Sequence, residues 1–145
     1  MTVHMIKLCV GVDSIEDLSA WQKMRLAHGN RVGDRRLFHA TRMIPKRKDE
    51  LADGGSIFWV MKGVVQVRQR ITGFDDGERP DGTRCCLIQL DPKLVPVRPT
   101  PRRPFQGWRY LKVEDAPADL APGAADDVAQ MPAAMRRELA DLGLL

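Results

Sequence analysis

Apolar and polar residues alternate along "VHMIKLCV", with His4, Ile6, Leu8 and Val10 on one parity and Met5, Lys7 and Cys9 on the other. That alternation predicts a strand with at least one buried face. The period then changes. In "DSIEDLSAWQKMRLAHGN", Ile15, Leu18 and Trp21 recur at helical spacing, Ser14 and Asp17 have the spacing of a capping box, and Gly29 or Asn30 can supply a left-handed stop. The prediction there is an amphipathic helix of about thirteen residues.

"RLFHATRMIP" reads as a second strand ending at Pro45, and "KRKDELADGG" as a polar, charged loop with room for a short helical turn. "SIFWVMKGVVQVRQRITGF" carries the strongest β signal, two runs flanking Lys62-Gly63 as in a hairpin. In its second run Val65, Val67, Gln69 and Ile71 share one face while Gln66, Arg68 and Arg70 share the other. One side is expected in the core and the other in water. "DDGERPDG" reads as turn throughout, and "TRCCLIQL", "KLVPV" and "WRYLKV" as further strands.

From Ala116 the composition turns to Ala, Pro and Asp. A terminal helix then starts near Pro132, places Met135, Leu139 and Leu142 on one face and stops at Gly143. Several short strands with one early helix predict a mixed α+β fold: a small, partly open β-barrel over 1–115. Residues 116–145 would be an acidic, Ala/Pro-rich connection and C-terminal helix, packed on or tethered to the same domain.

Totals narrow the class. A chain of 145 residues fits one domain, and no run approaches the roughly 18 apolar residues that suggest a membrane span. Lys7 interrupts the opening apolar stretch and acids follow it, unlike a secretory leader. The three cysteines are sparse, and neighbours such as Cys85 and Cys86 point to opposite faces of a strand, where a mutual disulfide would be strained. A cytoplasmic protein without membrane partners is the expectation.

Net charge is +4, but residues 1–112 hold 21 Lys/Arg against 12 Asp/Glu, whereas 113–145 hold 2 against 7. A basic body with an acidic tail attracts phosphates at long range.

The order strand, helix, strand, basic loop, then "LADGGSIFWVMKGVVQVRQRITGF" resembles the PUA-like superfamily, including its ASCH and EVE domains. Leu51, Gly54, Gly55, Ile57 and Trp59 stand where that group builds its barrel wall, with Ser56 in place of the usual polar or acidic turn residue. The likeness covers about residues 37–112. Through its opening strand and helix and "RPFQGWRYL", the whole chain also resembles an uncharacterised alphaproteobacterial family of about this length. The PUA-like resemblance implies binding of structured RNA or of modified bases in DNA, or hydrolysis of a modified nucleoside.

The stretch "PVRPTPRRPFQGWRYL" gives that implication residues. Arg98, Arg102, Arg103 and Arg109 can contact phosphate bidentately, and prolines hold the chain extended. Trp108 and Tyr110 share a strand parity, and with Trp59 they could stack on bases. Arg42, with Lys46, Arg47 and Lys48, and Arg68 with Arg70 would extend the positive face, as would Arg31, Arg35 and Arg36. The competing reading makes Phe105, Trp108 and Tyr110 plugs of the barrel and the arginines solvated.

The expected partner is RNA or modified nucleic acid. One alternative is a nucleoside-directed amidohydrolase of the ASCH kind, using Thr41, Lys46 and Glu50 from one segment; another is a protein-interaction module docking through the proline-rich stretch. His4, Cys9, His28, His39, Cys85 and Cys86 lack the local spacing of paired metal ligands, so neither a metal nor another cofactor is expected.

Overall fold

The structure, a computed structural model, describes residues 2–9, 11–32, 36–103 and 105–120. The expected C-terminal helix, most of its connection, Arg35 and the side chain of Arg31 lie outside the described residues. Along the chain run β1 (His4–Leu8), α1 (Ile15–Val32), β2 (Leu37–Thr41), α2 (Lys48–Ala52), β3 (Ser56–Met61), β4 (Val64–Glu78), β5 (Arg84–Leu90), β6 (Val95–Pro101), β7 (Trp108–Leu111) and a short 3-10 turn at Val113–Asp115.

All strands join one seven-stranded sheet ordered β2-β5-β4-β3-β1-β7, with β6 beside β4. The fold is thus mixed α and β as expected, but the sheet is not closed. β2 and β7 are its ends, and among the described residues no ladder runs between them.

Its organising element is β4. The turn before it has positive φ at both Lys62 (51°) and Gly63 (76°), the conformation whose twist suits a two-residue hairpin. The first half of β4 lies between β3 and β6, and the second half pairs with β5 from Ile71↔Leu90 to Glu78↔Arg84. "DDGERPDG" is therefore strand as far as Glu78. Pairing with β5 satisfies backbone groups that turn-prone side chains alone would have left to water.

The simple alternation expected in β4 is also broken. Its register slips between Val65 and Val67 against β6, so Val65 packs on one side of the sheet and Val67 on the other. Such a bulge moves side chains between faces. Gln66, expected in water, is buried and donates its amide to the Met61 carbonyl at 3.0 Å.

Both faces of the sheet's middle are covered. On one face Met5, Ile57, Trp59, Val67, Ile71, Ile88 and Trp108 pack with Leu18 of α1 and Leu51 of α2. On the other, Ile6, Phe58, Val60, Val65, Val97 and Leu111 pack together under Phe105 and Ala116. β1 consequently buries both of its parities, as a strand held between β3 and β7 must.

Capping of α1 follows the sequence, since the Asp17 N–H donates to Ser14 Oγ at 3.1 Å. The helix runs 18 residues rather than thirteen and passes through Gly29, because a glycine costs only about 1 kcal/mol within a helix. Its buried face holds Leu18 and Gln22, whereas Trp21 is 42% exposed beneath the Arg25 guanidinium, 3.9 Å away.

α2 turns the chain into β3 through Gly55, where a Cβ would meet the Leu51 and Val3 carbonyl oxygens at 2.3 and 2.4 Å. Only glycine fits. The strand expected at "KLVPV" is β6, which runs on into the proline-rich stretch as an outer strand, where missing N–H groups are tolerated. Residues 116–120 then return along it: Arg98 N–H donates to the Ala118 carbonyl and Leu120 N–H to the Pro96 carbonyl. Arg68 clasps the Asp119 carboxylate with two bonds of 2.7 and 2.8 Å.

Candidate functional site

Where the sheet fails to close, side chains span the opening. The Trp108 indole N–H donates to the Met43 carbonyl, and the Tyr110 hydroxyl oxygen accepts the backbone N–H groups of both Lys46 and Arg47. Their rings meet edge to face at 4.8 Å. β7 is thereby fixed to the loop after β2 without strand pairing, leaving a seam with cavities beside it.

The outer cavity is a cleft of about 300 Å³ whose lining includes Lys7, Thr41, Arg42, Met43, Arg79 and Gly107. Among the described residues, three cationic side chains and no carboxylate line it. Asp81 feels Arg79 and Arg42, but its carboxyl is held below the usual range chiefly by the Thr83 hydroxyl and N–H, at 2.6 and 3.0 Å. The site is built to favour anions.

The inner cavity, about 430 Å³, lies between α1, β1 and β2, with Lys7, Cys9, Gln22, Phe38, His39 and Trp59 in its wall. Burial lowers the Lys7 amine below its ordinary value and raises the Cys9 thiol to about 11, so the thiol is not a ready nucleophile. His39 lies edge to face with Trp59 at 4.9 Å. Burial, reinforced by Lys7 and Arg25, brings its imidazole down to about 4. It is therefore neutral at pH 7.

A buried polar network holds the cavity's aromatic wall. The amides of Gln22 and Gln69 exchange two bonds of 2.8 Å, the Trp59 indole N–H donates to Gln69 Oε1 at 2.9 Å, and Gln69 also donates to the Asp91 carbonyl. Every partner in that set is satisfied. By contrast His39 Nε2 is buried with no hydrogen-bond partner, the one such side-chain atom among the described residues.

The expected binding residues are distributed unevenly over this framework. Arg42 lines the cleft. Arg102 and Arg109 lie 5.7 and 5.1 Å from the Phe105 ring centre, with Arg103 exposed nearby in sequence. Since Arg109 alternates with Trp108 and Tyr110, this group faces away from the inner cavity. Arg68 is occupied by Asp119 and Ser56, and Arg98 is exposed on β6.

Trp59 and Trp108 are buried and Tyr110 is half-buried, each bonded as described. The alternative catalytic trio is also spread over different roles: Thr41 lines the cleft, Glu50 pairs with Arg47, and Lys46 is exposed while its backbone N–H serves Tyr110. The edge of β6 that a docking peptide would use is taken by residues 118–120.

Sequence reasoning gave Lys7, Gln22, Gln69 and Arg79 no binding role and weighed His39 only as a metal ligand. Two signals were available: a lysine centred in an apolar strand, and a histidine sharing parity with Leu37 and Thr41 in β2.

Residues 5–145 match the family described as protein of unknown function (DUF1489), and the chain belongs to it. No curated protein and no solved structure matches the chain. Among the described residues no helix is long and apolar enough to cross a membrane.

Proposed function

Since membership of that family assigns no chemistry, we propose from the geometry that the protein binds nucleic acid, either RNA or DNA carrying a modified base. The observation that supports this most is the cleft lined by Lys7, Arg42 and Arg79, with no carboxylate from the described residues in its lining. Phosphate is the anion such a cleft suits, because guanidinium groups bind it in pairs of hydrogen bonds. Arg102 and Arg109 beside Phe105, with the exposed Arg103 next to them in sequence, extend the path for a backbone. The same reading keeps the PUA-like relationship as a proposal, resting on the unclosed seven-stranded sheet and on the segment from Leu51 to Trp59.

Recognition by stacking on Trp108 is not part of this reading, because that ring is 5% exposed and holds the seam. Affinity would come from phosphate contacts and would fall with salt. The test is fluorescence anisotropy of labelled single-stranded RNA, single-stranded DNA and duplex, at low and physiological salt. A negative salt slope that becomes shallower in Arg42→Glu/Arg79→Glu is expected, with a smaller change in Arg102→Glu/Arg103→Glu. Absence of binding at low salt, or affinity untouched by both reversals, would overturn it.

A further inference from the structure

Lys7 lines both cavities. It connects two spaces of opposite character. Among the described residues, the cleft holds Arg42 and Arg79 without a carboxylate, whereas the inner cavity has aromatic walls, no arginine, and Asp17 in its lining. A ligand that is half ring and half anion has only one favourable direction here, with its anion in the cleft and its uncharged ring inside.

The interior also has one open polar valence. Buried side-chain atoms nearly always have a hydrogen-bond partner, and Gln22, Gln69 and Trp59 find theirs in one another and in the Asp91 carbonyl. His39 Nε2 does not. A volume of about 430 Å³ is within the range of small-molecule sites. Such sites are mostly apolar with a few placed polar groups, and the His39 ring lines this one with a nitrogen that has no partner within the protein.

We infer that the seam is a two-part nucleotide site: the base occupies the cavity beside His39 and Trp59, the phosphate rests between Arg42 and Arg79, and Lys7 stands at the junction. His39, as a neutral imidazole, reads an edge of the base by hydrogen bonding, while the cations take the phosphate. This rests on the nucleic-acid reading only for the nucleotide's source, which is either a free nucleoside monophosphate or a base turned out of a strand. Turning out a base costs a few kcal/mol of stacking, least for a single strand or a damaged pair.

The experiment is nuclear magnetic resonance of the full chain with labelled indole, imidazole and backbone nitrogens. It is titrated with nucleoside monophosphates, nucleosides, inorganic phosphate, and single strands with and without one abasic position. The expected result is saturable shifts of the Trp59 indole and His39 ring with a monophosphate. His39→Phe, which keeps a ring against Trp59, should weaken it at least tenfold. His39→Gln, which keeps a hydrogen-bonding group, should weaken it less, and Lys7→Met should remove most of the advantage of monophosphate over nucleoside.

Weaker binding of the abasic strand would assign the site to a turned-out base; equal binding beside a tight monophosphate would assign it to the free nucleotide. Strands that bind with a salt slope while neither monophosphate nor strand moves Trp59 or His39 would overturn the two-part site and leave the wider reading intact. Binding of nothing at low salt would overturn both. Nucleosides binding as well as monophosphates would also refute the two-part arrangement.

Discussion

The indole N–H of Trp108 reaches the Met43 carbonyl at 2.8 Å across a gap that no backbone ladder bridges. With the Tyr110 hydroxyl accepting from Lys46 and Arg47, it closes by side chains what the sheet leaves open. Trp108→Phe preserves most of the ring and strands the carbonyl, which should cost roughly 1–3 kcal/mol. Tyr110→Phe leaves the amides of two exposed residues without their acceptor and should cost about 1 kcal/mol. Urea melts measure the loss, and faster hydrogen exchange at Lys46 and Arg47 in Tyr110→Phe would locate it at the seam.

Gln69 has a different kind of importance. Its side chain is fully buried and serves Trp59, Gln22 and the Asp91 carbonyl together. Gln69→Leu would leave an indole N–H and an amide unpaired in the core, a loss of roughly 2–4 kcal/mol. Gln22→Leu/Gln69→Leu should be less destabilised than the sum of the single variants, since the second change removes a group the first had orphaned. A double-mutant cycle from denaturation midpoints checks the coupling.

Acid should weaken the fold at His39. Its imidazole titrates near 4 in the folded chain against 6.5 ordinarily. Between these values the unfolded chain binds the extra proton, so stability is complete above about 6.5 and falls as pH drops toward 4, by roughly 3 kcal/mol in all. His4, lowered by burial and then by Arg68, adds in the same direction. His39→Phe should flatten the stability profile across that interval; an unchanged slope would show the proton cost lies elsewhere.

Particular residues explain how much of this was legible beforehand. Ser14 announced the start of α1, and Lys62-Gly63 the hairpin, because capping and left-handed turns depend on a few neighbouring residues. Glu78 could not be recognised as strand, nor Pro101, because their pairing is decided by β5 and β4 from elsewhere in the chain. The candidate site was least legible for the same reason. Lys7, His39 and Arg79 come from three strands or their ends, and nothing local to any of them indicates that they line a common seam. Trp108 looked like a binding residue because sequence shows a ring beside arginines, but not the Met43 carbonyl waiting for it.

The length of β4 has a kinetic meaning. Its hairpin with β3 closes over two residues, whereas β1 must find β7 from the far side of the chain, pairing His4 with Leu111. Short closures lose little chain entropy and long ones lose more before contacts repay them. Assembly should therefore begin at the Lys62-Gly63 hairpin and finish when β7 arrives at β1. The cationic cleft would be the youngest part of the molecule each time it folds, complete only after the rest has taken shape.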